Sequence, residues 1–330
     1  MKTLTRVISI CAASMLLLVS GCGSNNSPAP GPAFTLYVVQ NGSAALTNSV
    51  LEFPANASGS TTPPNTITIP SQTSYDAVAV DTAGNLYVSA SVVTAPPALQ
   101  EILVYAAGAT GSATPTRVIT SSSLTSIISS IAVDSTGIVY ALSGNSISVF
   151  AANAGINATP IRQISGTATT LNSATQIAVD AAQNIYVANK QGNDILIFSS
   201  TESGNAPPAG TLTGTATEIS LPSGVTVDSA GDIYVASFNQ PSNSSIVLEF
   251  APGANGNATP TRILTAIASD TLYGLAVDAL DNLYIYASAS AQLTIEVYTP
   301  AQTGSNSPAR SISSTAWTPT TPNYGQIAVR

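Results

Sequence analysis

One phrase, approximately (I/V/L)-A-V-D-x-x-x-N-(L/I)-Y-V, recurs along this chain around Asp81 to Tyr87, Asp134 to Tyr140, Asp180 to Tyr186, Asp228 to Tyr234 and Asp278 to Tyr284. A sixth copy is divided between Leu36-Tyr37-Val38 and Ile327-Ala328-Val329-Arg330. The tyrosines at 37, 87, 140, 186, 234 and 284 stand 46 to 53 residues apart. Self-similarity at this period is the mark of a repeat architecture, and a unit split across both ends of the sequence implies a closed ring. Length alone would allow two domains in 330 residues, but six units sharing one ring make a single body.

Each unit contains four β-prone runs separated by turn residues. In the second unit these are Ala77 to Val80, Asn85 to Ser89, Glu101 to Tyr105 and Thr116 to Thr120. The first run carries a small residue at its centre (Val-Ala-Val, Ile-Ala-Val, Val-Thr-Val, Leu-Ala-Val), which suits the crowded inner strand of a tapering radial sheet. The second, (L/I)-Y-V, is apolar on both faces, as a strand packed between neighbouring sheets must be. Asp and Gly or Asn in the link between them fit a tight turn, Asp accepting backbone amides and Gly or Asn taking positive φ. The third run ends in an aromatic (Phe53, Tyr105, Phe150, Phe198, Phe250, Tyr298), and proline introduces the fourth, where its missing N–H is tolerated at a strand start or edge. Arg117, Arg162, Arg262 and Arg310 follow on that outer run, where charge is expected to discourage edge-to-edge pairing. The expected fold is all-β: a six-bladed β-propeller of four-stranded antiparallel blades, the ring closed by pairing of N- and C-terminal strands.

The phrase resembles the NHL repeat, with Asp81-x-x-Gly84-Asn85-Leu86-Tyr87-Val88 its cleanest copy and residues 34–330 the extent of the match. Ile138 in place of Asn, Gln183 and Asp281 in place of Gly, and Arg330 in place of Asp depart from it. Basic residues after the second strand, common in NHL modules of RNA-binding proteins, are missing apart from Lys190. The resemblance therefore implies fold more than function.

Composition narrows the chemistry. The sequence has no histidine, which removes imidazole acid–base catalysis, Ser-His-Asp triads, histidine metal sites and the propeller lyases that depend on histidine. Its two cysteines, Cys11 and Cys22, both precede the repeats, so the ring holds no disulfide and no thiol nucleophile. Without residues 1–21, which contain Lys2 and Arg6, six basic side chains face 16 acidic ones. Four of the six are the outer-run arginines spread around the ring, so no basic patch exists for nucleic acid or anionic lipid.

The segment before the repeats reads as an address. Lys2 and Arg6 precede the apolar run from Val7 to Val19, the layout of a secretory signal and too short for a permanent membrane span. Val19-Ser20-Gly21-Cys22 resembles the bacterial lipobox, with Val where Leu is commoner. The resemblance implies cleavage after residue 21, lipidation of Cys22 and, with Gly23 rather than Asp following, sorting to the outer membrane. Residues 22–33, rich in Gly, Ser, Asn and Pro, then form a tether, and residues 34–330 the propeller.

The five repeated aspartates read as turn acceptors rather than catalytic groups. The channel mouth, where inner strands begin, is the expected working face. The residues preceding those strands are Asp76-Ala77, Ser129-Ser130, Thr175-Gln176, Ser223-Gly224, Tyr273-Gly274 and Gly325-Gln326, of which Asp76 alone offers a carboxylate. A calcium site wants several oxygen ligands, so metal, cofactor and catalytic residue are all unassigned. The loops of this face supply Tyr75, Tyr273, Trp317 and Tyr324 between blades, and Asn189, Lys190 and Phe238 between second and third strands. Aromatics among neutral polar neighbours suit an envelope protein, a peptide or carbohydrate; equally, they can cap the ring against water. The functional expectation is a lipid-anchored envelope module for binding or scaffolding. The alternative is a calcium-dependent hydrolase or lactonase of the six-bladed type.

Overall fold

A computed structural model of the chain describes residues 35–40, 48–54, 56–69, 76–92, 99–239, 244–265, 271–289, 292–314, 317 and 326–330. The signal segment, Cys22 and the tether lie outside the described residues. The repeats belong to one unit, Ala33–Arg330. They form six blades, each a sheet of four antiparallel strands. Helical structure among the described residues amounts to two 3-10 turns, Thr167–Thr169 and Thr215–Thr217.

From the axis outward, blade 2 runs Val78–Val80, Leu86–Val92, Leu99–Tyr105 and Arg117–Thr120. Blades 3 to 6 repeat that order, with inner strands Ile128–Val133, Ala174–Val179, Gly224–Val227 and Thr271–Val277. Blade 1 is composite. Ile327–Val329 supplies its inner strand beside Thr35–Gln40, with Ser49–Pro54 and Asn65–Thr68 outside. Ring closure by terminal strands is thus realised, with Leu36 opposite Val329 and Val38 opposite Ile327.

The small residue of each inner strand has a specific partner. Ala79, Ala132, Ala178, Thr226, Ala276 and Ala328 lie opposite Tyr87, Tyr140, Tyr186, Tyr234, Tyr284 and Tyr37 respectively. A large ring on the second strand faces a small side chain where blades converge, so volume is conserved as the wedge narrows. In blades 2 to 6 the tyrosine hydroxyl donates to the Asp six residues earlier, at 3.0–3.3 Å. The other oxygen of that Asp accepts the amide four residues on, as Asp81 Oδ1 does from Asn85 at 2.8 Å. The repeated aspartates are therefore turn acceptors within the blades that carry them.

The turn position before the conserved Asn has left-handed backbone in each of these blades: Gly84, Gly137 and Gly231 at φ 91, 83 and 91, Gln183 at 65 and Asp281 at 59. Two departures from the repeat thus adopt the glycine conformation with a side chain attached. Gln183 gains a contact by doing so, its Nε2 donating to Asp134 of the preceding blade at 2.8 Å. Asp281 gains none: its Oδ1 is buried without a partner.

The outer arginines correct the expectation of a charged, unpaired edge. Arg117 donates to the carbonyls of Ala152 and Ala154, Arg162 to those of Ser199 and Glu202, and Arg262 to those of Thr299, Pro300 and Gln302. Each of these side chains staples its blade to the loop of the next. That loop also covers the edge itself. Gly111, Gly204, Gly256 and Gly304 form parallel bridges to Ile67, Ile164, Leu212 and Leu264 of the preceding outer strand. Gly59–Ser60 does the same with Ile312 and Ser313, joining blade 1 to blade 6 a second time. Between blades 2 and 3 the loop contributes Gly155 O and Ala158 N, both bonded to Thr120. Edges are protected by the neighbour's backbone rather than by charge.

Asp281→Gly removes an L-residue from left-handed backbone and a buried carboxylate oxygen with no partner. We expect a gain of about 1 kcal/mol, partly offset by the chain entropy of glycine. The urea midpoint should rise with unchanged slope; a fall would show that the Asp281 carboxylate supports the turn.

Candidate functional site

The loops entering the inner strands are fastened by polar side chains at the far end of the second strands. Ser89 Oγ accepts the amides of Asp76 and Ala77 at 3.1 and 2.9 Å. Ser143 Oγ accepts Ser126 N, and Ser237 Oγ accepts Ser220 N. Asn189 does this work in blade 4: Oδ1 accepts Asn172 N at 2.6 Å, while Nδ2 donates to Thr170 O and Asp194 Oδ1. Asn189 is buried and its polar atoms are spent on this clip. The expectation that it faces a ligand is corrected accordingly: its role is to hold the loop.

These clipped loops enclose a cavity of about 560 Å³ at the channel mouth. Among the residues expected on this face, Asp76, Lys190, Phe238 and Tyr273 line it. Trp317 does not; it is buried behind the wall, edge-on to Phe53 at 5.6 Å and to Tyr286 at 6.4 Å. Tyr286 in turn packs against Tyr273 at 5.6 Å. Trp317 therefore stabilises the seam between blades 1 and 6 and braces a lining residue from behind. Tyr75 and Tyr324 lie outside the described residues.

The lining has two sides. Leu221, Phe238, Leu272 and Tyr273 form an apolar wall from blades 5 and 6, while Ser129, Thr175, Ser223 and Gln326 stand at the starts of the inner strands of blades 3, 4, 5 and 1 or the loops leading into them. Lys190 and Asp76 are the charged side chains of the described lining. Gln326 is 3% exposed, and its amide is fixed by Gln326 N donating to Asp76 O at 3.0 Å. Its Nε2, and the Oγ of Ser129, are buried without a hydrogen-bond partner.

Below the cavity a single carboxamide crosses between inner strands. Gln176 of blade 4 donates from Nε2 to Leu275 O of blade 6 at 3.0 Å, and its Oε1 accepts Val225 N of blade 5 and Leu275 N at 3.3 and 3.4 Å. Gly224 makes room for it, since a Cβ there would lie 2.7 Å from that oxygen. A smaller space of about 180 Å³ continues between the inner strands. The sequence places Gln176 and Gly224 at adjacent blade entries, but no local pattern announces that one side chain reaches across the ring.

Burial sets the titration of the acids. It pushes the carboxyls of Glu52, Glu101, Asp194, Asp232, Glu249 and Asp281 above their ordinary values. For Asp134 burial also pushes upward, but hydrogen bonds from Thr136, Ile138 and Gln183 outweigh it and leave the group below the usual range. A raised carboxyl holds its proton in the folded ring where the unfolded chain has released it. Stability then falls as pH rises through the window just above ordinary carboxylate values, and grows on acidification into it. Asp134 acts oppositely, losing its contribution only as pH falls through its depressed value.

No protein-family profile matches the chain, and no curated protein matches its sequence. Solved structures do share its fold. One is a protein of unknown function from Bacteroides caccae, with TM-score 0.56 and 11% identity, covering 90% of this chain and 98% of that one. Another is a functionally unknown protein from Desulfotomaculum acetoxidans, with TM-score 0.54 and 14% identity over 85% and 82% of the two chains. A third is a candidate 6-phosphogluconolactonase from Bacteroides uniformis, with TM-score 0.55 and 14% identity over 83% and 81%. At such identities the likeness establishes the fold alone.

With the raised acids outnumbering Asp134, and acidic side chains exceeding basic ones 16 to 6 outside residues 1–21, mild acidification should stabilise the ring. The melting temperature should rise between pH 7 and about pH 5. A monotonic fall over that interval would contradict the assignment of burial as the dominant influence.

Proposed function

We propose that this chain is a lipid-anchored binding module of the bacterial cell envelope, working through the cavity at its channel mouth. The observation that carries the reading is that cavity: about 560 Å³, lined mostly by apolar surface with polar strand ends among it, and with Asp76, Lys190, Phe238 and Tyr273 on its surface. Its size is that of ligand pockets generally. The repeat phrase supports kinship with NHL propellers. Val19-Ser20-Gly21-Cys22, preceded by a basic and apolar leader and followed by residues 23–33 as a tether, supports lipidation at Cys22 and placement at the outer membrane.

The hydrolase alternative is less well supported by the donor set. A calcium centre needs several converging oxygens. Asp76 is the one carboxylate of the described lining, and the described residues contain no group of three or more His, Cys, Asp or Glu side chains able to hold a metal. Hydrolysis of a phosphorylated sugar lactone, the activity in the name of the Bacteroides uniformis protein, would call for cationic contacts to phosphate. Lys190 is the single cation of the described lining.

Two measurements check the two halves of the reading. Cys22→Ala should abolish membrane association of the mature protein, leaving it soluble or as uncleaved precursor; unchanged membrane fractionation would refute the anchor. For the mouth, a thermal-shift screen of short peptides and oligosaccharides should yield a ligand whose affinity drops roughly tenfold in Phe238→Ala, as for removal of an aromatic anchor. A ligand indifferent to Phe238 binds elsewhere and sinks the assignment.

A further inference from the structure

We propose that the mouth cavity, taken as the binding site above, recognises a peptide segment, with an apolar side chain seated against blades 5 and 6 and a main-chain carbonyl received by Gln326 and Ser129. The inference rests on that reading of the cavity and adds the ligand's chemical class.

Two polar groups of the lining are left over when the fold has satisfied its own. Gln326 Nε2 and Ser129 Oγ are buried without partners, a rare condition for polar atoms in folded proteins. An amide nitrogen can only donate, and a hydroxyl can donate, so what these groups lack is an acceptor. Two nearby hydroxyls are committed elsewhere. Thr175 Oγ1 donates to Ala188 O or Pro222 O, and Ser237 Oγ to the carbonyls of Glu218 and Ser220. Each hydroxyl of a sugar would bring a hydrogen along with its oxygen, and that hydrogen needs an acceptor of its own. A peptide carbonyl brings an acceptor and no hydrogen.

The opposite wall fits the other half of such a ligand. Leu221, Phe238, Leu272 and Tyr273 present apolar surface, which rewards an aliphatic or aromatic side chain rather than a ring of hydroxyls. Leu221 is held in left-handed backbone at φ 44, its amide donating to Asn193 Oδ1 at 2.8 Å. A leucine kept in that conformation at the edge of a cavity is strain of the kind that pre-organises ligand sites. One lysine and one aspartate give the described lining no net charge, so a neutral stretch of chain is accommodated. The Gln176 carboxamide bridges the inner strands of blades 4 to 6 below the cavity.

The test is calorimetric titration of the full chain with blocked tripeptides, N-acetyl-Ala-X-Ala-amide with each amino acid at X, and with chitotriose and maltotriose as glycan probes. Peptides with Leu or Phe at X should bind most tightly. Gln326→Met, which keeps the side-chain length and removes the amide, and Ser129→Ala should each weaken them about three- to tenfold, with melting temperatures confirming that both variants fold. Absence of peptide binding, or binding untouched by both substitutions, overturns the inference. Glycan binding that is lost in Phe238→Ala would overturn it while leaving the mouth as the site. Peptide binding untouched by Phe238→Ala as well as by the two floor variants would overturn both.

Discussion

The interaction on which the ring depends is a tyrosine placed opposite a small residue, alanine in five blades and threonine in one. Each blade is a wedge, and six wedges meet only if the inner strand is thin where the second strand is thick. Ala79 opposite Tyr87, and its five counterparts, solve that geometry in one residue pair. The hydroxyl at the outer end of each ring would be costly if left unbonded. In blades 2 to 6 it donates to the turn aspartate that also caps the link between the same two strands. Packing, polar satisfaction and turn chemistry therefore use the same three side chains, and a change in any one disturbs the other two.

Blade 1 tests this economy, because Arg330 stands where the other blades have Asp. A cation cannot accept the tyrosine hydrogen. Arg330 instead turns outward, donating from Nη2 to Thr82 O in the turn of blade 2 at 2.9 Å. The composite blade gives up an internal bond and gains a link to its neighbour. The same exchange appears on the rim, where Arg117, Arg162 and Arg262 of the outer strands bond to carbonyls of the following blade. Cohesion of the ring is thus carried at two radii, by apolar clusters between adjacent sheets and by a belt of backbone bridges around the outside.

This division explains what was legible in the sequence. Strand order, blade number and ring closure follow from residues that recur, because every blade must solve the same wedge. The turn role of the aspartates was legible for the same reason. The arginines were legible as outer-strand residues, but their partners were not: a staple to a carbonyl some 37 residues away involves backbone, which leaves no sequence signature. Asn189 misled for a related cause. An asparagine at the end of a second strand looks like a surface amide until the clipped loop is seen beside it. Of the residues expected at the mouth, Asp76, Lys190, Phe238 and Tyr273 arrived there. Trp317 was drawn under the wall, since its large apolar ring is more stable against Phe53 and Tyr286 than in water.

The positions at the entries of the inner strands escape the wedge constraint: Asp76, Ser129, Thr175, Ser223 and Tyr273 share one register position, and Gln326 follows one place later in blade 1. Backbone repetition thus presents acidic, hydroxyl, aromatic and carboxamide side chains to one cavity. The same freedom places Gln176 within reach of blades 5 and 6 and sets glycine at 224, where a Cβ would meet its oxygen. Folding constrains every copy of the phrase at once, whereas the residues between the copies are free to differ one by one. Hence the orphaned amide of Gln326 and the left-handed backbone of Leu221 single out the proposed site better than any repeated residue does.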